Sequence, residues 1–335
     1  MFSFVTAIAS RTFTGAFAGS AVVLSVMIFS LQGGMLAQSI SEQDHRDPTS
    51  RFIAGKAPQS LIKANVDLVL VDVTVTDRDG HIVSGLNAGD FSVLDGKSQQ
   101  RIRYFGEEDS PISIAVLLDS STSMWHYFDE ARSAAIEFFR ESNPLDEFAL
   151  VSFADKPRVV VDFSDLLSEL QPVLLPLEPK GYTALWDAIY LGASQMRHAK
   201  YPKKAILIIS DGGDNHSRYT QAEVKKMLEE ADVQVYAIDL FKAYPKTVEE
   251  KSGLLWLDEV TTVTGGRTFL VHDAAELHEA VREINSELRN QYVLGFLPES
   301  IARDGKWHKL KVDLSPTTQG KLRVYAKKGY YAPAD

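Results

Sequence analysis

Five oxygen-bearing side chains carry the chemistry this chain can do. Asp119, Ser121 and Ser123 are spaced by two within Asp119-Ser120-Ser121-Thr122-Ser123. At the end of a strand, that spacing lets alternate side chains of a curving loop point to one place. Thr183 lies in Gly181-Tyr182-Thr183-Ala184-Leu185-Trp186-Asp187, and Asp211 in Ile209-Ser210-Asp211-Gly212-Gly213-Asp214-Asn215. Two carboxylates and three hydroxyls make an oxygen-only shell, suited to Mg²⁺ or Mn²⁺ rather than to Zn²⁺, which favours His and Cys. Two carboxylates neutralise such an ion but leave its octahedral shell incomplete. A carboxylate from outside can fill the open position. That is a binding mechanism, and it needs no nucleophile or base.

These residues have to be positioned by strands. Ser113 to Leu118 is an apolar run ending in Asp119, and Asp129–Glu141 reads as a helix. A buried strand, an oxygen-rich loop and a helix are the layout of an α/β sheet whose ligands sit at the strands' carboxyl ends. The alternation continues from about Pro111 to Asn290. Strands are expected at 112–118, 148–153, 159–161, 205–209, 233–238 and 268–271. Helices are expected at 129–141, 183–198, 221–231, 257–264 and 275–289, with Thr183 opening the second. This predicts a doubly wound, mostly parallel sheet.

On either side the pattern is β alone. Residues 61–108 hold short β-branched runs punctuated by Asp79-Gly80 and Asp95-Gly96. Residues 291–335 hold three more, separated by Asp304-Gly305 and Gln319-Gly320. Lys309, Lys311 and Asp313 alternate with Leu310, Val312 and Leu314, so that strand has one wet face. Neither segment has enough strands to stand alone. The two are expected to pair into one antiparallel β-sandwich, with the α/β domain of residues 111–290 inserted between them.

The N-terminus points to export. Arg11 is the only charged side chain before Glu42, residues 13–31 are apolar or small, and Gly33, Gly34 and Ala37 follow. Residues 1–37 therefore read as a secretory signal peptide, or as a membrane anchor, since 13–31 approaches the ~20 residues that a bilayer needs. Residues 38–60 are polar and read as a linker. The expected location is periplasmic, cell-surface or secreted. With 45 acidic against 35 basic residues the net charge is −10, which argues against nucleic acid as a partner. The chain has no cysteine, which excludes disulfides, thiolate nucleophiles and iron–sulfur clusters.

Other motifs are weaker. No G-x-S-x-G elbow, P-loop or G-x-G-x-x-G string occurs, so no catalytic residue and no nucleotide cofactor is assigned. Asp77-Arg78-Asp79-Gly80 lacks the ligands of a calcium loop and reads as a hairpin turn. Asp187 and Asp214 read as structural. Ser121 and Ser123 could also serve as helix caps. Phe128 is assigned to the core, and Trp125 and Trp186 are candidates for the rim of the binding site.

Asp119-Ser120-Ser121-Thr122-Ser123, with Thr183 and Asp211, resembles the metal-ion-dependent adhesion site of von Willebrand factor type A domains. The likeness covers roughly residues 111–290 and includes all five ligand positions. It implies direct ligation by Ser121, Ser123 and Thr183, with Asp119 and Asp211 bound directly or through water. It further implies a protein partner whose Asp or Glu completes the shell. Asp90-Phe91 before the domain and Gly329-Tyr330-Tyr331 after it are similar to exported bacterial proteins related to this family. The expected function is Mg²⁺- or Mn²⁺-dependent adhesion or assembly, without enzymatic activity. The alternatives are a hydrolase whose metal activates water, and a scaffold whose metal only staples loops.

Overall fold

The structure, a computed structural model, describes residues 68–165, 167–240, 248–298, 304–315, 318 and 322–332. The apolar stretch 13–31, the segment 38–60 and the Gln319-Gly320 turn lie outside the described residues. No helix among the described residues is long and apolar enough to cross a membrane.

The chain enters through β1 (Val69–Thr76), β2 (Phe91–Asp95), β3 (Ser98–Gln100) and β4 (Ile102–Glu108). After β1 the chain turns through Asp77–Gly80, and a bridge between Thr76 and Ile82 closes the hairpin. The α/β region follows in chain order: β5 (Ser113–Asp119), α1 (Phe128–Glu141), β6 (Glu147–Phe153), β7 (Arg158–Ser164), α2 (Leu167–Leu174), α3 (Leu185–Gln195), β8 (Lys204–Ser210), α4 (Gln221–Ala231), β9 (Gln234–Leu240), α5 (Val248–Thr264), β10 (Thr268–Val271) and α6 (Ala274–Arg289). Then come β11 (Gln291–Phe296), β12 (Trp307–Leu314), β13 (Arg323–Ala326) and β14 (Gly329–Tyr331).

The central sheet runs β10-β9-β8-β5-β6-β7. Its pairings are parallel except at the β7 edge, which is antiparallel to β6. Every residue of β5 is buried, because helices cover both faces of the sheet. Ile114, Val116 and Leu118 face α1 and α6, while Ala115 and Leu117 face α3, α4 and α5. The α1 helix illustrates the coding. Ala131, Ala134, Ala135, Phe138 and Phe139 recur at helical spacing on its buried face, with Asp129 and Glu130 in the first turn and Arg140 in the last.

Chain order places the functional edge. From β5 the chain moves outward to β6 and β7, then returns to the other side of β5 as β8. The strand order therefore reverses between β5 and β8. A crevice opens at such a switch point, outside the carboxyl ends of the strands.

Two four-stranded sheets, β13-β1-β11-β4 and β14-β12-β2-β3, make the second layer system. Each draws strands from before Ser113 and from after Arg289. Val71, Val73 and Val75 of β1 and Tyr292, Leu294 and Phe296 of β11 face Phe91 and Val93 of β2 and Leu310, Val312 and Leu314 of β12. The exposed Lys309 and Lys311 alternate with buried Leu310 and Val312, as period-two strand patterning requires.

A buried amide chain links the two layer systems. The Gln291 Nε2 donates to Thr74 Oγ1 at 3.1 Å and to Gln234 Oε1 at 3.0 Å. Gln234 Nε2 in turn donates to the Gly265 carbonyl at 2.7 Å. Gln291→Ala leaves Thr74 and Gln234 short of a buried donor, so denaturant unfolding should show a loss of about 1–3 kcal/mol. Wild-type stability in that variant would mean the amide chain is incidental.

Candidate metal centre

Asp119 ends β5 and is fully buried. Its Oδ1 accepts the Ser121 amide at 2.9 Å, and its Oδ2 accepts the Ser210 hydroxyl at 2.6 Å. Asp211, 2% exposed, follows directly from Ser210 at the end of β8. The crevice at the switch point is thus floored by two carboxylates from neighbouring strands. Burial pushes Asp119 up from 3.8 to about 7, and the charge of Asp211 adds to the push; the Ser210 and Ser121 hydrogen bonds oppose it.

The loop after Asp119 becomes a 3₁₀ turn, Thr122–His126, with Ser121 at its N-cap. The Ser121 hydroxyl makes no capping bond there; it meets the Ser123 hydroxyl at 3.0 Å. Capping therefore does not account for the Ser121 side chain. Buried Met124 anchors the turn.

Thr183 arrives from a third loop. It does not open α3 as the sequence suggests: Ala184 is the N-cap, and α3 begins at Leu185. The reason lies thirty residues away. Asp214 Oδ1 accepts the amides of Leu185 at 2.8 Å and Trp186 at 3.4 Å, supplying the cap from another loop. Asn215 grips Thr183 by its main chain. Its Oδ1 accepts the Thr183 amide, and the Thr183 carbonyl accepts the amides of Asn215 and His216, all at 3.0 Å.

The lacing continues along both loops. Ser217 donates to Asp214 at 2.5 Å, and Asp187 Oδ1 accepts the amides of Arg218 at 2.8 Å and Tyr219 at 3.0 Å. On the other flank the Lys180 amide donates to the Ser120 carbonyl and the Thr122 amide to the Gly181 carbonyl. Below, Gly253 of α5 lies against the Gly212 carbonyl, and a Cβ there would come within 1.8 Å of it. Only glycine lets the helix approach the Asp211 loop this closely.

The structure thus brings Asp119, Ser121, Ser123, Thr183 and Asp211 onto three cross-bonded loops at one sheet edge. As a donor set they fit a hard divalent cation: all are oxygens, and two are buried acids that a cation would neutralise. Ser123 remains exposed, so the site opens to solvent. Trp186 is not at the rim. It is 7% exposed and packs on Trp256 at 4.1 Å between α3 and α5. Phe128 is core, and Trp125 is 65% exposed. Sequence reasoning takes Asp214 and Asn215 as structural residues and Ser210 as packed under the sheet edge, but it identifies none of their partners. Ser-Asp-Gly-Gly-Asp-Asn offered their polarity but not their partners.

A second set of ligand-capable groups, Asp77, Asp79 and His81, lies at the tip of the first hairpin. Asp77 Oδ1 accepts the amides of Asp79 and His81 there, both at 2.9 Å. An ordinary turn explains that arrangement.

The raised Asp119 pKa fixes a sign. Its protonated form is favoured on folding, so its stabilising contribution is present below about pH 4 and is lost as pH rises through about 7. The metal-free protein should therefore melt at lower temperature at about pH 8 than at about pH 5, and Asp119→Asn should flatten that fall. Mg²⁺ affinity, measured by calorimetry, should rise over the same interval with proton release. A metal-free melting temperature that rises through this interval, equally in both proteins, would contradict the assignment.

Residues 114–213 match the family model of the von Willebrand factor type A domain. No curated protein matches the chain. Among solved structures, the chain is similar to von Willebrand factor type A from Catenulispora acidiphila at 11% identity, over 80% of this chain and 74% of that one, with a TM-score of 0.47. It is similar to the PilB minor pilin from Streptococcus sanguinis at 14% identity, over 54% of this chain and 62% of the pilin, with a TM-score of 0.44. A third likeness is to proximal thread matrix protein 1 from the mussel byssus, solved with a zinc-occupied MIDAS motif, at 16% identity over 58% of this chain and 49% of that one, with a TM-score of 0.44. Residues 114–213 thus match the von Willebrand factor type A domain, and they lie within a region whose sheet is the mixed, mostly parallel one described above.

Proposed function

We propose that this is an exported adhesion or assembly protein whose partner presents an Asp or Glu to a divalent ion, Mg²⁺ or Mn²⁺, held at the β5–β8 edge. The observation that carries the reading is the pairing of two buried carboxylates, Asp119 and Asp211, at a solvent-facing switch point lined otherwise by hydroxyls. Ser121, Ser123 and Thr183 would hold the ion through hydroxyl oxygens, and Asp119 and Asp211 would hold it directly or through water. When bound, the ion supplies a coordination position for a carboxylate from another molecule.

The chain's own residues do the rest. Ser210 and the Ser121 amide orient Asp119. Asn215 and Asp214 fix the loop that carries Thr183. Binding of this kind requires no general base, and the proposal includes no catalytic step. Export rests on the apolar N-terminal segment, whether it is a cleaved signal or an anchor at 13–31.

Thermal unfolding tests the site directly. Mg²⁺ at about ten times its dissociation constant should stabilise the native state by roughly 1.4 kcal/mol, a shift of a few degrees. EDTA should reverse that shift, and Asp119→Ala should abolish it. No Mg²⁺ response in a folded wild-type chain would refute the proposal.

A further inference from the structure

Two exposed aromatic side chains are carried by loops that also supply candidate ligands. Trp125, 65% exposed, lies in the Thr122–His126 turn that Ser121 precedes. Tyr182, 60% exposed, directly precedes Thr183. Exposed aromatics of this size are costly to leave wet and are enriched at the centres of interfaces.

Tyr182 is held in place. Gly181 turns the chain at φ +82°, and a Cβ there would meet the Asp155 carboxylate at 2.6 Å. That carboxylate accepts the Tyr182 amide at 2.8 Å. The Tyr182 ring stacks on His216 at 5.1 Å with 16° between planes, so the third loop backs it as well. Hydrogen bonds between the 120–122 and 180–181 segments keep the Trp125 and Tyr182 loops side by side.

Asp155, Asp187 and Asp214 at this edge are occupied with main-chain amides. Lys156 and Lys180 are exposed on the loops beside them, and Arg218 pairs with Asp187 at 3.6 Å.

We propose that Trp125 and the Tyr182–His216 stack are specificity walls for an extended partner segment whose acidic residue is flanked by an aromatic or large aliphatic side chain. The acid goes to the ion, and the neighbouring apolar side chain packs on the exposed rings. This rests on the reading of the site as a carboxylate receptor and adds the sequence context that the partner must carry.

The test is selection from a phage-displayed library of random heptapeptides on the immobilised full chain in Mg²⁺, eluted with EDTA. The expected result is enrichment of Asp or Glu with an aromatic or large aliphatic residue beside it. On Trp125→Ala and Tyr182→Ala, the acid should still be selected while the apolar preference disappears. A selected peptide resynthesised should lose about ten-fold in affinity on either variant. Acid selected with random flanks, or an apolar preference unchanged in both variants, would overturn this inference alone. Failure to select any acid on a chain that binds Mg²⁺ would overturn the carboxylate-receptor reading itself.

Discussion

Two carboxylates facing one crevice are the constraint around which this domain is arranged. Asp119 ends β5, Asp211 directly follows the adjacent parallel strand β8, and both are buried. Burial opposes ionisation of Asp119, and the charge of Asp211 beside it adds to the effect, so its carboxyl is pushed up to about 7. The fold places them there because the strand order reverses between β5 and β8. A cation would resolve the conflict, and the hydroxyls of Ser121, Ser123 and Thr183 would add ligands without adding charge.

Holding three loops in register is the second requirement. A few polar side chains do this chiefly by bonding main chain. Asp214 caps α3 from outside, Asn215 clamps Thr183, and Asp187 returns the favour to residues 218 and 219. Each loop is short of regular structure, yet amides along it find side-chain and main-chain partners. The α5 helix closes the site from beneath through the Gly253–Gly212 contact. On the far side, β11 begins two residues after α6 ends, which ties the domain to the sandwich through Gln291.

Much of this was legible in the residues. The β5 run is apolar throughout because both faces of the strand are covered, and alternation with helices followed from the same cause. Oxygen donors at a spacing of two are visible as text. What stayed hidden depends on contacts between remote segments. The α2 helix was missed because it is short and contains Pro172. The α5 helix starts nine residues earlier than the expected Leu257, since Ser252 and Gly253 weaken its signal. That glycine is there for the close approach to Gly212, which no local pattern announces. Trp186 looked like a rim residue because it is adjacent to the site in sequence. Its place in the core is set by Trp256, seventy residues on.

The most direct measurement of the central claim is an anomalous difference map from a crystal soaked in Mn²⁺. The account predicts a peak within about 2.0–2.6 Å of the Ser121 and Ser123 hydroxyl oxygens, with a coordination position facing solvent. A map with no peak there, or with its peak at Asp77, Asp79 and His81 instead, would contradict it.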